Sequence, residues 1–274
     1  MPRFAANLSL LFTELGFLER FDAAARAGFA AVEVQFPYEQ PAPRIAERLQ
    51  RAGLQLVVHN LPAGDWNAGE RGIAGLPGRE EEFRAGVARA IATAQALGCD
   101  RLNCLAGIRP QHAGERAVQD TLVSNLRHAA DALGAQGMEL LVEALNTHDV
   151  PGYLVNTSRQ AFDLIDAVAR DNLRLQYDVY HMQRMEGDLA VTLAARLPGI
   201  GHIQVADNPG RHEPGTGEIR FPYLFERLDA LGYAGWVGCE YRPRTTTLAG
   251  LGWLRPWMDV NAPTEEFLRE DRAG

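Results

Sequence analysis

Eight times along the 274 residues, a short apolar run of Leu-rich or β-branched character is followed, after a Gly, Pro or Asn break, by a longer stretch with helical spacing. The runs are RFAANLS (3–9), AAVEVQF (30–36), LQLVVHN (54–60), RLNCLAG (101–107), ELLVEAL (139–145), LRLQYDV (173–179), HIQVAD (202–207) and GWVGCEY (235–241). Between them lie GFLERFDAAARAG, APRIAERLQRAG, REEEFRAGVARAIATAQALG, AGERAVQDTLVSNLRHAADALGAQG and SRQAFDLIDAVARD. Gly28, Gly53, Gly98, Gly137 and Gly232 stand where such a helix would close in a left-handed cap before the next strand. Strands that alternate with helices lie parallel, and eight such units closing on one another predict an α/β fold, the (β/α)8 TIM barrel. A doubly wound open sheet is the alternative, but no GxGxxG follows the first run. No Pro- or Ser-rich linker divides the chain, so a single domain over 1–274 is expected, with 253–274 a C-terminal surface appendage.

Charge narrows the partners. With 35 acidic against 27 basic residues the formal net charge is −8, which disfavours nucleic acid unless the basic residues gather on one face. The opening MPRFAANLSLLFTELGF is broken by Asn7, Ser9, Thr13 and Glu14 and fits neither a signal peptide nor a membrane span, so a cytoplasmic protein with no membrane partner is expected. Cys99, Cys104 and Cys239 form no CxxC and read as small core residues. No sequence feature fixes an oligomeric state, and a homo-oligomer is compatible with all of them.

In a barrel of this kind the active site lies at the carboxyl ends of the strands, so polar residues there behind apolar neighbours are informative. Four runs have one: Glu143 in LLVEAL, Asp178 in LQYDVYH, Gln204 in HIQVAD and Glu240 in VGCEY. Buried singly, each carboxylate would cost several kcal/mol unless paired or bound to a cation. At matching depth on four consecutive strands they could converge on one divalent metal. With only oxygen donors, Mg2+ or Mn2+ is expected over Zn2+. Glu143 and Glu240 would also flank a chelated hydroxy-carbonyl, a pair suited to moving a proton from one carbon to its neighbour through an enediolate. His59, closing the third run, and His181, following Asp178, are weaker candidates that a structural hydrogen bond would also explain. Glu70 and Arg71 lie in PAGDWNAGERGIAGLPGR, a connection long enough to be a lid.

These features resemble the hydroxypyruvate isomerase family, a branch of the xylose-isomerase-like TIM barrels. The resemblance is carried by HNLPAGDWNAGERGIAGLPGRE (59–80), LLVEALN (140–146), QYDVYHMQRMEGDL (176–189), HIQVADNPGRHEPGTGEIRFPYLF (202–225) and GWVGCEYRP (235–243), and spans nearly the whole chain. It implies conversion of hydroxypyruvate to 2-hydroxy-3-oxopropanoate (tartronate semialdehyde) in glyoxylate metabolism. Glu143 and Glu240 match the family's catalytic pair, and Asp178 and Gln204 the rest of its metal site. Related epimerases carry His where this chain has Gln204. The small hydroxy-oxo-acid substrate needs a cation for its carboxylate, for which Arg211, His212, His59 and Arg71 are candidates. Isomerisation of 2-oxo-tetronates remains open as a sibling activity. A multi-metal endonuclease or a non-catalytic sugar-acid binding protein could also use the barrel.

VADNPGRHEPGTGEIRF (205–221) has the GxxxxG spacing of a phosphate-binding loop but no Lys after its second Gly. It reads as a loop carrying Arg211 and His212 toward substrate, or as a turn salt-bridged among Arg211, Glu213 and Glu218.

Overall fold

A computed structural model describes residues 1–257. Each apolar run contributes a strand: β1 Arg3–Asn7, β2 Ala31–Val34, β3 Gln55–Asn60, β4 Arg101–Cys104, β5 Glu139–Glu143, β6 Leu173–Asp178, β7 Ile200–Val205 and β8 Trp236–Cys239. All pair in parallel in sequence order, and β8 returns to β1 to close the barrel. The helices are α1 Glu19–Arg26, α2 Ala42–Ala52, α3 Glu80–Leu97, α4 Glu115–Gly134, α5 Ser158–Val168, α6 Val179–Met185, α7 Leu189–Arg196, α8 Phe221–Ala230 and α9 Thr247–Gly250. The five glycines expected to cap helices all adopt positive φ, between 65° and 93°. No helix among the described residues is long and apolar enough to cross a membrane.

Apolar stripes of the helices pack on the outer face of the barrel, burying side chains such as Phe21, Ile45, Leu122, Leu126 and Phe225. All three cysteines are buried and free, as their spacing implied. Inside the barrel the chemistry is layered. Ala5, Ala31 and Leu141 precede Asn7, Glu33 and Glu143 by two residues and so share their face; with Val57 and Val58 they make a separate apolar cluster. Above this apolar floor, Glu33 accepts hydrogen bonds from Asn7 Nδ2 and Gln204 Nε2, each at 2.8 Å, and lies 2.7 Å from His202 Nε2.

Room for that carboxylate is left by Gly238, where a Cβ would overlap Glu33 itself. Because Glu33 is pinned by three partners it cannot swing aside. Gly238→Ala is therefore expected to destabilise by about 1–3 kcal/mol, the range for overpacking a filled interior, lowering Tm by roughly 2–4 °C per kcal/mol. Thermal unfolding measures this, and an unchanged Tm would refute the tight fit.

The segment expected to be a surface appendage, 253–274, begins with residues that pack on the barrel's outer layer. Leu254 is fully buried, and Trp253 sits edge-on to Phe4 at 5.4 Å and stacked on Phe225 at 5.8 Å. Two Trp and a Leu within five residues supply enough apolar area to hold this turn against the barrel. The remainder of that segment, 258–274, lies outside the described residues.

Candidate active site

The four polar strand ends do lie at one mouth of the barrel, but not at one depth. In register, Glu143 is level with Gln176, Asp178 with Gln204, and Gln204 with Gly238, so Glu240 stands two residues further on. Strands in a closed barrel are tilted and staggered, so residues at equal positions along successive strands climb around the wall. Side-chain length and local turns bring some of them together again. Asp178 ends β6 and caps α6, its Oδ1 accepting from Tyr180 N at 2.8 Å; one turn on, this places His181 beside it. Donor atoms of Glu143, Asp178 and His181 all lie within 4.8 Å of one another, and all three residues are buried.

Glu143 is held from β4, where Asn103 Nδ2 donates to its Oε2 at 2.9 Å. Glu240 accepts from Gln35 Nε2 at 3.0 Å and from an Arg211 Nη2 at 2.7 Å; the same Nη2 lies 3.8 Å from Asp178 Oδ2. Burial is the main force on these acids. It raises the carboxyl of Glu143 well above its ordinary range, with the charges of Glu240 and Asp178 adding to the rise. It lifts Glu240 to about 8 and Asp178 to about 6, in each case against the opposing pull of Arg211. His181 is pushed the other way, well below the usual imidazole value, by burial and by the positive charges of Arg211 and Arg184.

Such a cluster fits a divalent cation. Asp178 Oδ2 is buried without a hydrogen-bond partner, and three crowded acids are what a bound cation would relieve. Gln204 is engaged on both sides: its Nε2 donates to Glu33, which fixes its Oε1 toward Gln176 Nε2 at 2.7 Å. One lone pair on that oxygen is left for another partner.

The other candidates separate cleanly. Arg211 enters the carboxylate cluster. His181 lines the same cavity, as does Arg71, whose guanidinium lies 3.9 Å over the Trp66 ring and donates to two backbone carbonyls. His59 does not line it. Asn60, its neighbour, accepts from Asn103 of the adjacent β4 at 3.1 Å, while His59 sits with Nδ1 3.3 Å from the Tyr38 hydroxyl, its burial lowering it to about 4. Successive strand residues face opposite sides, so a one-residue difference decides which meets the site. Glu70 also lies off the cavity: it pairs with Arg79 and accepts from Asp65 N, bracing the long connection. His212 lies off it too, with Nδ1 2.8 Å from the Arg242 carbonyl.

The glycine-rich stretch after β7 is organised by Asp207. Its carboxylate accepts from the backbone N–H of Asn208, Gly215, Gly217 and Ile219, at 2.8–3.1 Å. Arg211 sits inside this loop at φ 53° and turns its side chain onto Glu240. The alternative of a turn salt-bridged among Arg211, Glu213 and Glu218 is not what forms: Glu213 accepts from Arg244 N and Glu218 from Asn208 Nδ2.

The cavity, about 620 Å³, is also lined by Gln35, Asn60, Trp66, Arg184 and Arg242. Sequence reasoning passed over these, and over Glu33 and Asn103. The flanking argument that singled out Glu143 applies equally to Glu33 in AVEVQ and Asn103 in RLNCL, and would have found both. Trp66, Arg184 and Arg242 lie on loops or a short helix and carry no such signal.

Comparison with known proteins agrees with this architecture. Residues 21–257 match the family model described as xylose isomerase-like TIM barrel. The chain is 53% identical to hydroxypyruvate isomerase of Escherichia coli, over 94% of this chain and 100% of that one. It is 50% identical to 2-oxo-tetronate isomerase of Cupriavidus necator, over 94% and 99%. Among solved structures, one titled AP endonuclease, family 2, from Brucella melitensis superposes with TM-score 0.92 at 47% identity, covering 94% of this chain and 100% of that one.

Proposed function

This chain belongs to the xylose isomerase-like TIM barrel family, and on that premise we propose that the isomerisation it carries is that of hydroxypyruvate to 2-hydroxy-3-oxopropanoate. What carries the proposal is the pair of buried glutamates, Glu143 and Glu240, at the mouth of one polar cavity. Removing a proton from C3 gives an enediolate; a proton moves from O3 to O2; returning a proton to C2 gives the aldehyde. Glu240, which has Arg211 as its cation partner, is assigned as the base at C3. Glu143, on the neighbouring wall of the cavity and held there by Asn103, is assigned to deliver the proton to C2. Arg211 and Arg184 each have a buried Nε without a partner and line the cavity, which suits them to the substrate carboxylate.

Oxygens of Glu143, Asp178, Gln204 and Glu240 would hold a divalent cation, Mg2+ or Mn2+ by the hardness of the set. When bound, it supplies charge stabilisation to the enediolate oxygens. The cavity has room for four carbons as well as three, so the tetronate reaction is the second reading, supported by the 50% identity to that isomerase. The endonuclease reading, which the name of the Brucella melitensis protein raises, finds less support. Among the described residues a single cluster of metal-binding groups is present, and the net charge is −8.

The assay is turnover of hydroxypyruvate and of 2-oxo-tetronates in deuterated water. Wild-type protein is expected to form the aldehyde and incorporate solvent deuterium. Glu143→Gln should still exchange at C3 while forming little product, whereas Glu240→Gln should do neither. Absence of both product and deuterium with wild type would sink the hydroxypyruvate assignment.

A further inference from the structure

Three donor groups within 4.8 Å invite the reading that His181 is a third ligand to a metal held by Glu143 and Asp178. The hydrogen bonds around its ring say otherwise. Asn146 N donates to His181 Nδ1 at 3.1 Å, and Asn146 Nδ2 lies 2.7 Å from the same nitrogen. The side-chain amide cannot be turned over, because its Oδ1 already accepts from the backbone N–H of His148 at 3.1 Å and of Asp149 at 2.9 Å. Nor can the ring, since a half-turn would set a carbon against both donors. Nδ1 is therefore the lone-pair nitrogen, and in the neutral ring the proton must sit on Nε2, which lies 3.5 Å from Asp178 Oδ2.

We propose that Asn146 is a positioning residue that locks His181 as the Nε2–H tautomer, making His181 a hydrogen-bond donor into the cavity and not a metal ligand. A nitrogen that carries a proton has no lone pair for a cation, so the metal-binding set is left with oxygens alone. The donor is instead free to meet a substrate oxygen, where it supplies a hydrogen bond that strengthens as the enediolate develops. This second consequence rests on the isomerase reading; the tautomer itself does not.

The test is two-bond 15N–1H correlation on the full-length, metal-free protein, with the His181 signals among the seven histidines identified by their loss in His181→Gln. Nε2 is expected to be protonated and Nδ1 not, and saturation with Mg2+ alone should leave that pattern in place. A proton on Nδ1, or loss of the Nε2 proton when Mg2+ is added, would overturn the proposal. Asn146→Asp keeps the Oδ1 acceptor but replaces the side-chain donor with a second acceptor. The backbone N–H at 146 still faces Nδ1, but the carboxylate set at the closer distance is the stronger, charged partner. The proton is therefore expected to move to Nδ1 and kcat to fall by about 10²–10³-fold, the scale for losing one preorganised donor, with circular dichroism little changed. A switched tautomer with undiminished kcat would refute the positioning role. So would a fall in kcat with the tautomer unmoved, which would make Asn146 merely structural. Should the protein turn over no hydroxy-oxo-acid at all, the isomerase reading fails while the spectra still decide the tautomer.

Discussion

Glu240→Gln is expected to lower turnover by about 10²–10⁴-fold, the contribution of a positioned general base, and yet, in chelator-treated protein, to raise Tm at pH 8. The two effects share one cause. Glu240 is 5% exposed, and burial with the nearby charges of Asp178 and Glu33 lifts it from an ordinary 4.5 to about 8. A carboxyl raised on folding binds its proton more tightly in the native state. Its favourable contribution is therefore full below about pH 4.5 and is lost as pH rises through about 8. Gln keeps an oxygen that can accept from Gln35 and Arg211 but has no charge to bury. The Tm advantage of the variant should open between pH 5 and 8 and level off above. A gain of about 1 kcal/mol would appear as roughly 2–4 °C. A variant less stable than wild type at pH 8 would show that the Arg211 pairing outweighs desolvation. Functional sites commonly sacrifice stability in this way.

Arg211→Ala is the converse. It removes the cation that lies 2.7 Å from Glu240 and 3.8 Å from Asp178, leaving these buried acids with no arginine or lysine in contact among the described residues. Breaking a fully buried pair costs about 3–5 kcal/mol. Arg211 retains 20% side-chain exposure and Glu240 can take up a proton, so the loss should fall below that range. It should also be smallest near pH 5, where the acids are already largely protonated, and grow as pH rises through 6 and 8, the values to which Asp178 and Glu240 are lifted. Loss of a charged hydrogen bond to the substrate carboxylate, about 1.5–3 kcal/mol, would raise KM by roughly ten- to a hundredfold. Arg211→Lys should recover part of the pH-dependent stability but little of the KM, since an ammonium cannot reproduce the planar fork. Equal destabilisation of Arg211→Ala at pH 5 and pH 8 would exclude the electrostatic account.

Local pattern made much of this protein legible before any coordinates. Alternation of apolar runs with helical stretches requires a parallel sheet with helical crossovers, and eight of them close a barrel whose carboxyl end must hold the chemistry. Carboxylates flanked by Leu and Val stood out for the same local reason: nothing in the packing of a strand asks for them. The tertiary structure decided everything that depends on groups distant in the chain. Between Asn60 and His59, strand phase chose the inward residue, beside a register shift at Val32/Val34 on the neighbouring strand. The stagger of the barrel, not position along each strand, set which acids meet. Asp207 shaped the loop that delivers Arg211, and Asn146, 35 residues from His181 along the chain, chose which nitrogen of that imidazole holds a proton. Spacing in a sequence reports the period of its own element. Depth, facing and protonation are set by hydrogen bonds from other elements, and these exist only once the barrel has closed.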